Sequence, residues 1–208
     1  VPNFALECVW FFLFAGENDS KFKIYMKQNN VQLLIVTSMI FTAALSRLVH
    51  HPYNFTPIGA MALFGAAHFN RKLLAFLVPA LALWLSDLVL NNVVYPNPFG
   101  FIWFSAYSST YIGFAAVVLL GYVFLHEVTF GRVVFASLAS SLTFFIITNT
   151  GSWIADAVYS KDGMGLISAW VAGIPFFWNT LLGDLFYCGV LFGGYALAKR
   201  QIYALQNV

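Results

Sequence analysis

Long apolar runs alternate with short polar breaks along the chain. The apolar runs cover residues 31–49, 55–69, 73–90, 101–125, 133–148 and 175–198. Between them lie HHPYN, NRK, NNVVYPNPFG and HEVTFGR, and before the last run a longer stretch, NTGSWIADAVYSKDGMG followed by the semi-apolar LISAWVAG. Continuous runs of this kind read as helices crossing a bilayer, which takes about 20 residues at about 1.5 Å each. The pattern predicts an all-α, polytopic membrane helix bundle with six main transmembrane helices over residues 31–200. Residues 1–30 form an apolar segment plus a basic linker, and 201–208 a short tail. The first sixteen residues lack the basic region that leads a targeting signal, so they read as a peripheral or partly inserted piece.

The second run is short and slim, with Gly59, Ala60, Ala62, Gly65, Ala66 and Ala67. Small residues let membrane helices approach closely, so this helix is expected at the centre of the bundle. Pro79 interrupts the third run and is expected to kink it.

Composition explains why the runs need lipid. Of 208 residues, 61% are hydrophobic and 9% are charged. A soluble domain usually has about 25% charged residues. Ten basic and eight acidic groups cannot coat a body of this size, and 23 Phe add to the apolar load. The net charge of +2 is small and its cations are scattered, which argues against nucleic acid as a partner. Cys8 and Cys188 sit in apolar runs and read as small hydrophobes. No His/Cys pattern has zinc-ligand spacing, so no metal site is expected, and the sequence names no cofactor.

The charges also set an orientation. With six spans, Lys21, Lys23, Lys27, Arg71, Lys72, Arg132, Lys199 and Arg200 fall on one side. Arg47, His50, His51, Asp156, Lys161 and Asp162 fall on the other. The positive-inside rule then places both termini in the cytoplasm, with the chain in a bacterial inner membrane. A count of five or seven spans would put Lys199 and Arg200 on the wrong side.

Several polar residues lie where apolar ones are expected. Asp184 is roughly 14 Å into the last run, near the middle of a hydrocarbon layer about 30 Å thick. A carboxylate there must face the bundle, water or a donor, or be protonated. Asn179 and Thr180 complete this intramembrane polar site, with Thr180 one turn before Asp184. Two roles stay open for it: a ligand, ion or proton site, or a polar contact that locks helices. Asp87 sits near the outer end of the third run, with Asn91 one turn on. Asn54, Tyr107, Asn149 and Trp153 come from breaks or run ends on the same side. Together with Asp87 they form the expected substrate-binding group, since aromatic walls with amides suit a small organic solute. Taken singly, each aromatic also fits an interfacial anchor. His50 and His51 lack a third ligand and read as an exterior loop.

Catalytic signatures are missing from the sequence. It has no GxSxG, HExxH, P-loop or dinucleotide fingerprint, so the chain is not expected to be an enzyme. An enzyme acting on lipid would have Asp184 alone to rely on.

The blocks NFTPIGAMALFGAAHF, LLAFLVPALALWLSDLVL, FFIITNTGSW and IPFFWNTLLGDLFYCGVLFG resemble those of an uncharacterised family of small bacterial integral membrane proteins. Members of that family resemble the substrate-binding S components of energy-coupling factor (ECF) transporters. The resemblance covers most of residues 54–194. It implies a six-helix capture subunit whose partners are a transmembrane coupling subunit and ATPases. S components couple through small residues four apart in their first helix, often alanines. Thr42 and Ser46 hold that spacing here, so they form the expected coupling face.

The function expected is capture and translocation of a small vitamin-like solute, with membrane lipid around the bundle. The alternative is a non-transporting structural subunit of a larger membrane protein complex. On the first reading, Asp87→Ala or Trp153→Ala is expected to weaken solute binding.

Overall fold

The computed structural model describes residues 19–95, 100–104 and 109–206, with side chains from 30 to 200 within those ranges. Six α-helices follow one another, and no strand occurs among the described residues. They are α1 (Asp19–Ser46), α2 (Ile58–His68), α3 (Lys72–Val89), α4 (Ser109–Phe124), α5 (Phe130–Ala155) and α6 (Gly163–Gln206). The chain divides into two compact units, Val1–Ile35 and Val36–Val208. In the first, the backbone is helical from Asp19 onward, although this stretch had been expected as a polar linker. The second unit holds everything described below.

Three helices are long and apolar enough to cross a membrane: Lys72–Val94, Phe130–Ala155 and Gly163–Arg200. Three more apolar helices, Asn30–Ser46, Ile58–His68 and Ser109–Phe124, are shorter. The outer surface matches a lipid solvent. Leu73, Leu77, Leu81 and Leu85 recur every four residues along α3, and all four are exposed. In water, such a stripe would be a large apolar patch needing cover.

Helix α2 is the hub of the second unit. It packs against α3, α4, α5 and α6, and every residue from Ile58 to Ala66 is buried. Its small residues make this possible. At Gly65 an added Cβ would lie 2.6 Å from Cγ of Pro79, so the glycine admits the proline ring of α3. Phe64, Leu63 and Met61 are among the largest fully buried side chains, in one core cluster with Ile40, Leu83, Phe114 and Val117.

Four element boundaries differ from the pattern reading. Helix α6 begins at Gly163 and passes through Pro175, so LISAWVAG is its first part rather than a separate segment. A proline removes one intrahelical hydrogen bond, but the flanking apolar run keeps the helical period on both sides. Helix α5 extends to Ala155, which puts Asn149, Thr150 and Trp153 on a helix. The run 101–125 is helical only from Ser109 among the described residues. The segment before it is tied down instead: Ile102 N–H donates to Asn92 Oδ1 at 2.8 Å, and Trp84 Nε1 donates to the Trp103 carbonyl at 2.9 Å. Finally, α3 continues as a π-helical turn, Leu90–Val94, closed by Tyr95 N–H on the Leu90 carbonyl at 2.7 Å. Such turns insert one extra residue into a helix and occur often at functional sites.

Candidate functional site

The ends of the helices gather polar groups at one end of the second unit. These ends are the C-terminus of α1, the N-terminus of α2, the π-turn after α3, the start of α4, the last third of α5 and the first half of α6. Between them lies a cleft with two compartments. One, of about 280 Å³, is lined by Arg47, Thr56, Gly59, Asp87, Asn91, Tyr95 and Asp184, among others. The other, of about 220 Å³, is lined by Thr148, Asn149, Ser152, Gly173 and the rings of Phe145, Phe176 and Phe177. Asn54, Thr110, Phe144 and Thr180 line both, so the compartments adjoin.

The first compartment is charged. Arg47 follows α1 directly and is 8% exposed. Its Nη2 meets Asp87 Oδ1 at 2.7 Å. Its Nη1 donates to Ser86 Oγ and, at 3.3 Å, to the Leu83 carbonyl. Tyr111 donates its hydroxyl to Asp87 Oδ2 at 3.1 Å. The carboxylate thus has a partner on each oxygen. Arg47 Nε is buried without an acceptor. Burying an ion pair offsets much of the Coulomb gain with desolvation, and removing one partner is costly because the other charge is stranded.

Asp184 answers a different need. Helix α2 starts after Pro57, whose side chain cannot cap it. Four N–H groups at a helix start lack intrahelical partners, and α2 is buried there. Asp184 reaches across from α6, and its carboxyl packs against Gly59 beside the backbone N–H groups of Gly59 and Ala60. Ser141 of α5 donates to its Oδ2 at 2.7 Å. The carboxylate is 2% exposed and joins three helices. Gly59 is required for this: an added Cβ would collide with the carboxylate oxygens. The partial positive charge at the start of α2 and the Ser141 hydroxyl offset part of the cost of burying this carboxyl inside the bundle.

The second compartment is neutral and aromatic. Asn149 anchors its amide nitrogen on the Phe145 carbonyl at 2.8 Å, one turn back. Its Oδ1 packs onto Gly173, where any Cβ would overlap it. Asn54 stands in the loop before α2 with φ of 62°. Asparagine tolerates this left-handed conformation better than most side chains.

The expected site residues therefore separate. Asn54, Asp87, Asn149, Thr180 and Asp184 come together in the cleft. Tyr107 lies outside the described residues. Trp153 does not line the cleft: its Nε1 donates to the Ser160 carbonyl at 2.8 Å, and its own carbonyl accepts from Lys161 Nζ. Trp153 lies one helical turn beyond Asn149 on the same side of α5, and its indole is taken up by the loop before α6. Asn179 also stands outside, with Nδ2 on the Tyr53 carbonyl at 2.9 Å, fastening the loop that carries Asn54. Thr42 and Ser46 do not form one open face. Thr42 is exposed and bonds the Ser38 carbonyl at 2.8 Å, whereas Ser46 turns inward to the Tyr187 hydroxyl at 2.8 Å.

Sequence reasoning missed Arg47, Ser141 and the phenylalanines as site residues. A lone arginine in an apolar stretch is a signal that an acidic partner exists, and Asp87 was the unpaired acid available. Ser141 carries no such signal, since SLASSL looks like ordinary helix packing.

A family model matches residues 27–205. The chain belongs to the DUF6580 family, a family of unknown function. The match takes in the second unit as far as residue 205, so the cleft lies entirely inside the DUF6580 region. No curated protein and no solved structure matches the chain.

Proposed function

We propose that this DUF6580 protein is a membrane subunit that captures a small organic solute in the cleft and passes it across a bacterial inner membrane. The observation that carries the reading is the two-part cleft at one end of an otherwise apolar bundle, with aromatic walls and amides from four helices or their flanking turns. Sites for small organic molecules combine these features.

The opposite end supports an outward-facing cleft. Arg71 and Lys72 start α3, Arg132 lies in the first turn of α5, and Lys199 and Arg200 lie near the end of α6. Under the positive-inside rule this end is cytoplasmic, together with both termini. Shorter α2 then acts as a half-span whose N-terminus reaches the cleft, an arrangement that suits solute sites near the midplane. If the resemblance of its sequence blocks to ECF S components extends to energetics, a coupling subunit and ATPases would drive the passage, since no P-loop occurs in the sequence.

A second reading, a structural subunit of a larger complex, is favoured by one observation. Arg47, Asp87 and Asp184 bond to protein groups, so the charged compartment also works as a fastener between helices. The readings are separated by mass spectrometry of small molecules extracted from the intact protein purified in mild detergent. Capture predicts a defined organic species in stoichiometric amount, reduced in Asn149→Ala. A preparation that carries lipid alone, and co-purifies with a fixed set of membrane proteins, contradicts capture.

A further inference from the structure

We infer that the solute is an organic cation: a ring with a protonated nitrogen, its charge in the Arg47–Asp87–Asp184 compartment and its ring among the phenylalanines. The inference rests on the capture reading and adds the sign of the charge.

A helix N-terminus inside a cleft ordinarily favours an anion. Here that place is taken. The Asp184 carboxyl already sits against Gly59 and Ala60, and the space at Gly59 is too small for even one added carbon. Arg47 is the other group that would draw an anion. It is paired to Asp87 at 2.7 Å and is 8% exposed. Its unmatched Nε is buried on the same guanidinium, so an anion approaching it would meet the Asp87 carboxylate. The side chains lining this compartment hold two carboxyl groups and one guanidinium, so Asp184 is the acid there without a cation beside it, and a bound cation would favour its charged form. Asn54, Thr56, Asn91, Tyr95, Thr110 and Thr180 add no charge.

Coulomb attraction to that charge is stronger in a cleft walled by protein and lipid than in water. Phe144 lines both compartments, and an aromatic face also attracts a cation. The amides and hydroxyls remain available for the solute's neutral polar atoms. With the cleft outward, the inside-negative membrane potential favours inward passage of such a solute.

The test uses the full chain in mild detergent and calorimetric titration with three probes of nearly one shape: benzamidinium, benzamide and benzoate. The expected order is cation, neutral, anion, with at least about a tenfold gap between the first two, the factor given by about 1.4 kcal/mol. Asp184→Asn keeps an acceptor for α2 and removes the charge, so it should bring the cation-to-neutral ratio close to one. Benzamide or benzoate binding as tightly as benzamidinium to the wild-type protein overturns the charge assignment and leaves capture standing. A ratio that Asp184→Asn leaves unchanged in a folded protein also overturns it. Failure of all three probes to bind overturns capture, and the inference with it. The wild-type series decides the sign even where the variant does not fold.

Discussion

The two compartments of the cleft use polar groups in opposite ways. In the charged one, Arg47 binds Asp87, Ser86 and a backbone carbonyl, and Asp184 holds the start of α2. In the aromatic one, Asn149 ties its nitrogen to its own helix and Asn54 stands in a loop. A buried charge must be matched wherever it lies, whereas a neutral amide at a cleft wall can be left for a solute. Substitutions on the charged side should therefore act first on stability, and those on the aromatic side first on binding.

The largest effect is expected from Asp87→Ala, which strands the Arg47 guanidinium. A loss of about 3–5 kcal/mol is expected for breaking a buried pair. Thermal unfolding in detergent would report it, and replacing both partners by apolar residues of similar volume should restore most of the loss. Equal damage from the single and double replacements would remove the pair from its fastening role. This also alters the meaning of a binding defect in Asp87→Ala, which counts only in variants shown to fold.

Gly59→Ala comes next. The added Cβ must displace Asp184 or shift α2, at about 1–3 kcal/mol for overpacking. Because both residues belong to one contact, the cost should be coupled to Asp184→Ser, measured as a double-mutant cycle. Additive effects would mean that the carboxylate and the helix start are independent.

Much of the architecture was legible before the structure. Apolar runs gave six helices, and the slim composition of 55–69 placed α2 at the centre, where Gly65 receives Pro79. The pattern failed at helix ends. Pro175 and the polar residues of NTGSW looked like breaks, yet both lie inside helices whose other residues keep the period. Asp184 was legible as anomalous, but its role was not, because α2's uncapped start is a tertiary fact. Trp153 was assigned to the cleft by proximity to Asn149 in sequence. On a helix, four residues define a turn, and the Ser160 carbonyl settled where its indole goes.

Smaller effects are expected on the aromatic side. Asn149→Ala should change stability by less than about 1 kcal/mol, since the bond lost is partly exposed and local. Solute affinity should fall about tenfold, the equivalent of one hydrogen bond of about 1.4 kcal/mol. Titration with the co-purified solute checks this, and a stability loss as large as that of Asp87→Ala would erase the contrast between compartments.

The smallest effect belongs to Asp162, before α6 and away from the cleft. The Gly165 N–H, and then the Ser160 hydroxyl, hold its carboxyl below the ordinary value of 3.8. A depressed folded value stabilises the fold above the unfolded one. That contribution declines as the pH falls below 3.8 and through the depressed folded value. Asp162→Asn should flatten this slight slope in unfolding curves recorded between about pH 5 and 3, and an unchanged slope would assign it to other carboxyls.

Native mass spectrometry of the intact protein tests solute capture most directly. Thr180 lines both compartments, so Thr180→Trp should fill their junction without touching the Arg47–Asp87 pair. The account predicts a small organic adduct on the wild-type protein and none on a Thr180→Trp protein that unfolds at nearly the same temperature. An adduct retained undiminished by that folded variant, or a wild-type protein that never carries one, would contradict it.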